Sequence, residues 1–436
     1  MLRRRRRMTA TAPRGWARLL WLGPGFLWMV SAAGSGELLF TPRVGSLHGY
    51  SLLWAMLVAI ALKWFINREV GRFAVCSGLT LLQGFADVRG PRGWAVWLIL
   101  VPQLFVAVTA IAGLAGGAAT ALILILPGPP LLWMVTSVLT STALVAFGTY
   151  RSVERAATVI AVAVAIAAVA AAVAIRPDAR ELFGGLRPRL EADVRYSEIL
   201  PWLGFMLSGA AGLIWYSYWI LAKGYGGTRR DRATGGGAEV KRLRAWVGQM
   251  SLDNTVAVAG TCLVAGAFLV LGAELLRPRG LVPEEQRVAA TLGHLLGEVW
   301  GAAAYWFMVL GVFVGFWDTL LSDQDGHGRM FADGARLVLP ALRRYAETTI
   351  RRVFVIVVVT VLPIAVYAAI GEPVGLLKAA GAIEAAHIPI VTGLTLYLNR
   401  TRLPAGLRPS IPVTLVTGGA GLFFALFSAY YLFEIL

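Results

Sequence analysis

A chain of 436 residues that is 58% hydrophobic and only 15% charged is excluded from the soluble globular class, where roughly 25% of residues carry charge. It is predicted to be an all-α, multi-pass membrane protein. The net charge of +16 could suit a nucleic-acid partner, but the basic residues fall on loops between apolar stretches, which argues against that role and for contact with anionic membrane lipid.

Eleven spans are predicted, at about 19–40, 50–66, 94–116, 130–148, 156–175, 198–221, 247–275, 296–321, 351–370, 374–398 and 411–434. Each is near the roughly 20 apolar residues that cross a bilayer. If the amino terminus is cytoplasmic, most of the 40 lysines and arginines lie on inner loops, the positive-inside pattern. The runs Arg3–Arg7 and Lys223–Arg244 then act as topology determinants, and a bacterial-type plasma membrane is the expected location. The first apolar stretch is long, contains Pro24 and Gly25, and lacks a clear cleavage site, so it reads as a retained helix and not a signal peptide. Residues 1–18 are a basic cytoplasmic lead-in, and 19–436 form one transmembrane domain.

Within the first span, Gly34-Ser35-Gly36-Glu37 interrupts the helix. Ser208-Gly209-Ala210-Ala211-Gly212 does so in the sixth. Backbone freed in a bilayer is tolerated only where it lines a cavity or is buried in protein. One interrupted segment in each half of a chain points to the binding site of a secondary transporter built from inverted repeats. The first repeat would cover about 19–175 and the second about 198–398, with 411–434 as an extra helix. Residues Gly224 to Ala238 read as a mobile, glycine-rich cytoplasmic link. Arg176 to Ser197 and Arg277 to Arg287 read as external loops. Asp323 to Arg352 reads as an internal, basic segment.

Several stretches resemble the natural resistance-associated macrophage protein (Nramp) family. They are Gly23-Pro24-Gly25-Phe26-Leu27, the break eight residues after Phe26, Gly49-Tyr50-Ser51-Leu52-Leu53-Trp54, and Gly71-Arg72-Phe73-Ala74 with Ser77-Gly78; Asp253 is a further match. The resemblance implies a leucine-transporter-like fold with discontinuous helices one and six, and proton-coupled transport of divalent transition metals. The family's metal ligands are missing. Its Asp-Pro-Gly-Asn becomes Gly34-Ser35-Gly36-Glu37, and its Met-Pro-His aligns with Gly209, Ala210 and Ala211. The third helix, from Gln103 to Gly113, carries no acid where the family has a proton relay.

A carboxylate has thus moved one turn, to Glu37. With no thioether, oxygen donors alone suit a hard ion such as magnesium over iron or manganese. The substrate-binding candidates are Gly34, Ser35, Gly36, Glu37, Ser208, Gly209, Gly212 and Trp215, with Glu37 as the metal ligand. Glu37 has two other readings: a solvated group near the outer interface, or a cap on the second half-helix. Glu384 and His387, three apart on one helix face, form either a proton relay or a buried pair that locks the tenth span. Asp318 is a third proton-coupling candidate. Asp323, Asp325 and His327 read as a solvated inner helix end more readily than as a metal cluster. Asp253 reads as structural, and Lys63, Arg68, Glu69 and Arg72 as snorkelling or ion-paired groups. The aromatic set Trp215, Tyr216, Tyr218 and Trp219 either lines a pocket or packs as an interfacial belt.

Cys76 and Cys262 suggest neither a disulfide framework nor a metal cluster. No Walker A, G-x-S-x-G or H-E-x-x-H pattern is present, so no enzyme activity and no cofactor is expected. Divalent cations and protons are the expected partners. The alternatives are transport of a small organic solute and a non-transporting sensor or scaffold of the same fold.

Overall fold

The computed structural model describes residues 11–30, 33–147, 151–189, 196–227 and 236–435, and among them every regular element is a helix. The run Arg3–Arg7 and residues 228–235 of the predicted mobile link lie outside the described residues. Eleven helical segments follow the predicted order. The first comprises Pro24–Val30, Ala33–Phe40 and Thr41–His48, and the second is Leu53–Ser77. The third to fifth are Trp94–Leu122, Pro130–Phe147 and Arg151–Ala174. The sixth is split into Tyr196–Phe205 and Ala210–Lys223, and the seventh begins with Gly237–Leu271. The eighth is Ala302–Val338, and the ninth joins Glu347–Ile356 to Leu362–Ile370 through Val357–Val361. The tenth and eleventh are Pro373–Thr401 and Ile411–Ile435. Among the described residues, 8 helices are long and apolar enough to cross a membrane.

Three departures from the sequence reading matter for the site. Residues Gly34–Glu37 are not unwound: Ala33–Phe40 is a π-helix, a wide turn that frees a carbonyl without ending the helix. The hydroxyl of Thr41 donates to the Gly36 carbonyl, five residues back, at 2.9 Å. The second break is unwound, but Gly212 lies inside the following helix, and the residues with left-handed backbone are Leu207 (φ 54°) and Ser208 (φ 74°). The eighth span starts at Ala302 and not 296, because Gly301 (φ 82°) separates it from the helix Val288–Trp300. It then continues to Val338, through the segment expected to be an inner helix end.

The third span forms the centre of the bundle, packed on the eighth and the tenth. Its glycines permit this. A Cβ at Gly113 would sit 2.8 Å from the Pro373 carbonyl, and one at Gly117 would sit 2.8 Å from the Phe316 ring. Small residues allow close helix approach where apolar lipid supplies no hydrophobic drive. This packing holds the eighth and tenth spans beside the break in the sixth.

Candidate functional site

A small cavity of about 20 Å³ lies between the two discontinuities. It is lined by Ser35 of the first span, Ser208, Gly209 and Trp215 of the sixth, Asp323 and His327 of the eighth, and Glu384 of the tenth. All seven are buried. A space of this size holds about one water-sized species.

The chain builds this cavity from helix ends and helix faces. Glu384 Oε2 accepts the amide of Ala211 at 3.1 Å, so a carboxylate caps the start of the second half of the sixth span, where the helix dipole favours negative charge. Gly209 makes room for it: a Cβ there would meet the Glu384 carboxyl at 2.5 Å. Glu37 caps the break from the other side. Its Oε1 accepts the amide of Leu207 at 3.1 Å, while Oε2 is buried without a partner. Glu37 is 3% exposed, so it is not solvated at an interface, and the amide it accepts belongs to Leu207 in the sixth-span break and not to the amino end of a half-helix. The Gly34 amide donates to Thr319 Oγ1 at 3.1 Å, tying the π turn to the eighth span.

Asp323 and His327 lie four apart on the eighth helix and face inward at 8% and 1% exposure. They are not a solvated helix end. The Nδ1 of His327 is 3.0 Å from the Asp323 carbonyl. A carbonyl only accepts, so Nδ1 carries the proton and Nε2 presents a lone pair. That Nε2 is buried with no partner. Asp323 and Glu384 interact electrostatically across the cavity. Nevertheless, among the described residues no three His, Cys, Asp or Glu side chains form a group able to hold a metal ion.

Glu384 and His387 do not touch directly through their shared face. The Gln103 side chain hydrogen-bonds both, at 3.1 Å to His387 Nδ1. The Nε2 of His387 lies 3.2 Å from the Leu98 carbonyl. That nitrogen therefore donates, and Nδ1 accepts from the Gln103 amide. Asp318 is elsewhere. It lines a wider vestibule of about 170 Å³ with Phe26, Leu27, Trp219, Asp325 and Arg329. Trp215 lines both spaces, and its ring meets His327 edge-on at 4.8 Å. Tyr218 and Trp219 also line the vestibule, with Tyr218 donating to Asp333 at 2.8 Å, whereas Tyr216 packs 5.9 Å from Trp28.

Lys63 corrects the reading further. It does not snorkel. It is fully buried, and its ammonium donates to the carbonyls of Gly204, Met206 and Ser208 at 2.8, 2.5 and 2.8 Å. Glu69, by contrast, pairs with Arg72 at 2.8 Å and Arg68 at 3.1 Å. Asp253 accepts the amides of Gly23 at 2.8 Å and Gly25 at 2.5 Å, anchoring the start of the first span. Lys63, Gln103, Asp323 and His327 are the site residues that sequence reasoning did not select. The i, i+4 spacing of Asp323 and His327 was the one signal available for the last two.

Among curated proteins, the chain is 31% identical over 186 residues to a divalent metal cation transporter, MntH, of Deinococcus radiodurans, covering 41% of each chain. It is 30% identical over 88 residues to the metal transporter Nramp6.2 of Populus trichocarpa, covering 20% of this chain and 16% of that protein. The matches to curated relatives thus span less than half of those proteins. Among solved structures, the manganese transporter of Eremococcus coleocola superposes with a TM-score of 0.72 at 15% identity, covering 98% of this chain and 90% of that one. Mhp1, a nucleobase-cation-symport-1 family transporter, gives 0.56 at 15% identity, covering 98% and 95%. Both likenesses show a shared fold of broken helices. The family model described as natural resistance-associated macrophage protein-like matches residues 25–434, nearly the whole chain, and the protein belongs to that Nramp-like family.

Proposed function

We propose that the protein is a secondary transporter that moves a divalent metal cation by alternating access, with its first and sixth spans rocking around the cavity between them. One observation carries this reading. The buried acceptor His327 Nε2 has no hydrogen-bond donor and shares its cavity with the carboxyls of Asp323 and Glu384, while the neighbouring break holds a second such acceptor, Glu37 Oε2. Two carboxyls and an imidazole lone pair gathered in one small space suit a cation. The cavity's size opposes the organic-solute reading, since pockets for such ligands run to about 300 Å³ or more. The vestibule with its aromatic wall serves as the approach path.

The lining has no thioether, and oxygen donors outnumber the single imidazole. A hard, partly hydrated ion such as magnesium is therefore favoured over iron or manganese. That no tight three-ligand cluster occurs among the described residues agrees with an ion that keeps water in its shell. His327 Nε2 is the donor through which a transition metal would compete. Proton coupling would run through Glu384, with Gln103 and His387 behind it and Asp318 in the vestibule. The amino terminus is placed in the cytoplasm of a bacterial-type cell, with the vestibule facing inward.

The test is uptake of magnesium, manganese and calcium into proteoliposomes, with and without a pH gradient. Saturable magnesium uptake that the gradient enhances is expected. Glu37→Gln should weaken it about tenfold, the effect of losing roughly 1.4 kcal/mol of ion binding. Folded protein that takes up no divalent ion would overturn the proposal. A manganese preference would overturn the ligand argument alone.

A further inference from the structure

The break in the sixth span is filled by a positive charge that belongs to the protein. Lys63 sits in the middle of the second span, and its Nζ is held by three main-chain carbonyls within five consecutive residues, Gly204, Met206 and Ser208. An ammonium has three hydrogens to donate, and all three are used. The ring of Phe424 lies 5.5 Å from Nζ, within range of a cation–π contact. Glu37 and Glu384 act on the same charge electrostatically. The side chain is 0% exposed, so water contributes nothing to its solvation.

Carbonyl dipoles from unwound backbone and a ring face, with two carboxyls acting from beyond contact, together make a site for a monovalent cation. Transporters with discontinuous helices use such freed carbonyls to bind a mobile coupling ion. We infer that the Lys63 ammonium is a tethered substitute for such an ion: it occupies a cation site at the sixth-span break permanently, so the protein needs no free monovalent cation there. The arrangement also accompanies left-handed backbone at Leu207 and Ser208, where the chain turns so that the carbonyls of residues 206 and 208 meet at one point. The inference rests on the geometry of the break and not on which ion is carried.

If the site is a cation site, emptying it should create a requirement for one. Lys63→Met keeps the apolar stem and removes the charge. The purified variant is expected to unfold at a lower temperature than wild type. Sodium, potassium or methylammonium at constant ionic strength should then restore Tm saturably, as a ligand bound only by the folded state does. Wild-type Tm should not respond. No saturable response in the folded variant would overturn the inference. So would a saturable alkali-cation dependence of wild-type Tm, which needs no variant to fold. Because the readout is stability and not transport, it stands apart from the divalent-uptake test.

Discussion

At the scale of single residues, the site is legible where chemistry depends on residue type and illegible where it depends on who the neighbour is. Glu37, Ser208 and Glu384 stand out as polar groups in apolar runs, and they border the cavity or the break. Lys63 stands out equally, but a lysine inside a span reads as one that reaches for the interface. Nothing in the sequence shows that the carbonyls of residues 204–208 come to it instead. Gly209 illustrates a residue whose value is the atom it lacks. Gly209→Ala would place a Cβ 2.5 Å from the Glu384 carboxyl, forcing the carboxylate off its helix cap. The expected result is a folded protein whose divalent-ion affinity falls about tenfold, read by competition in the uptake assay; unchanged affinity would show that Glu384 can hold its role from another position.

Elements were harder to delimit than to count. The fifth, tenth and eleventh spans fall close to their predicted bounds because each is bounded by proline, glycine or charge. The eighth overruns its predicted end at 321 by more than four turns. Asp323, Asp325 and His327 read as a solvated inner helix end, yet they divide by face. Asp323 and His327 turn to the small cavity, while Asp325 pairs with Arg329 at 2.8 Å and also with Arg351 beside the vestibule. Two faces with separate polar partners allow one helix to carry many charges. The glycines of the first break were read as unwinding, whereas π geometry absorbs them. Anchoring of the same span can be tested. Asp253→Ala removes the acceptor for the Gly23 and Gly25 amides, and is expected to cost about 1–2 kcal/mol by analogy with a lost N-cap. Thermal unfolding in detergent measures it, and no change in Tm would show that neither amide depends on the carboxylate.

For the molecule as a whole, the two ends of the path differ. The vestibule enters beside Phe26, Leu27 and Trp219. The opposite end is sealed by Glu198, which accepts from Arg43 at 2.9 and 3.1 Å and from Lys378 at 2.5 Å; Arg43 also donates to the Pro283 carbonyl at 2.6 Å. This lock joins the first, sixth and tenth spans to the loop that carries Pro283 and holds that end closed. Glu198→Gln removes the charge that Arg43 and Lys378 share, leaving Arg43 with Glu284 at 3.5 Å, and is expected to weaken the lock by roughly 1.5–3 kcal/mol, the worth of a hydrogen bond to a charged group. The population should shift towards a state open at that end. In a background lacking Cys76 and Cys262, a Thr41→Cys probe, at a position now 0% exposed, should label faster with an impermeant maleimide applied to that side. An unchanged labelling rate would show that the lock does not control opening. No pattern in the sequence links Arg43, Glu198 and Lys378, because each lies in a different span or span end.

Trp215, as the wall shared by the two chambers, has a consequence for membrane leakage. An indole is far bulkier than anything the about 20 Å³ cavity can hold, so the ring cannot retreat inward. In the proposed cycle it swings into the vestibule before an ion passes, while the Arg43–Glu198–Lys378 seal stays in place at the other end. Under that cycle the two barriers do not stand open together, and no continuous thread of water crosses the membrane. A bilayer containing the protein should therefore stay electrically tight, carrying ions in discrete turnovers and never as the sustained current of a pore.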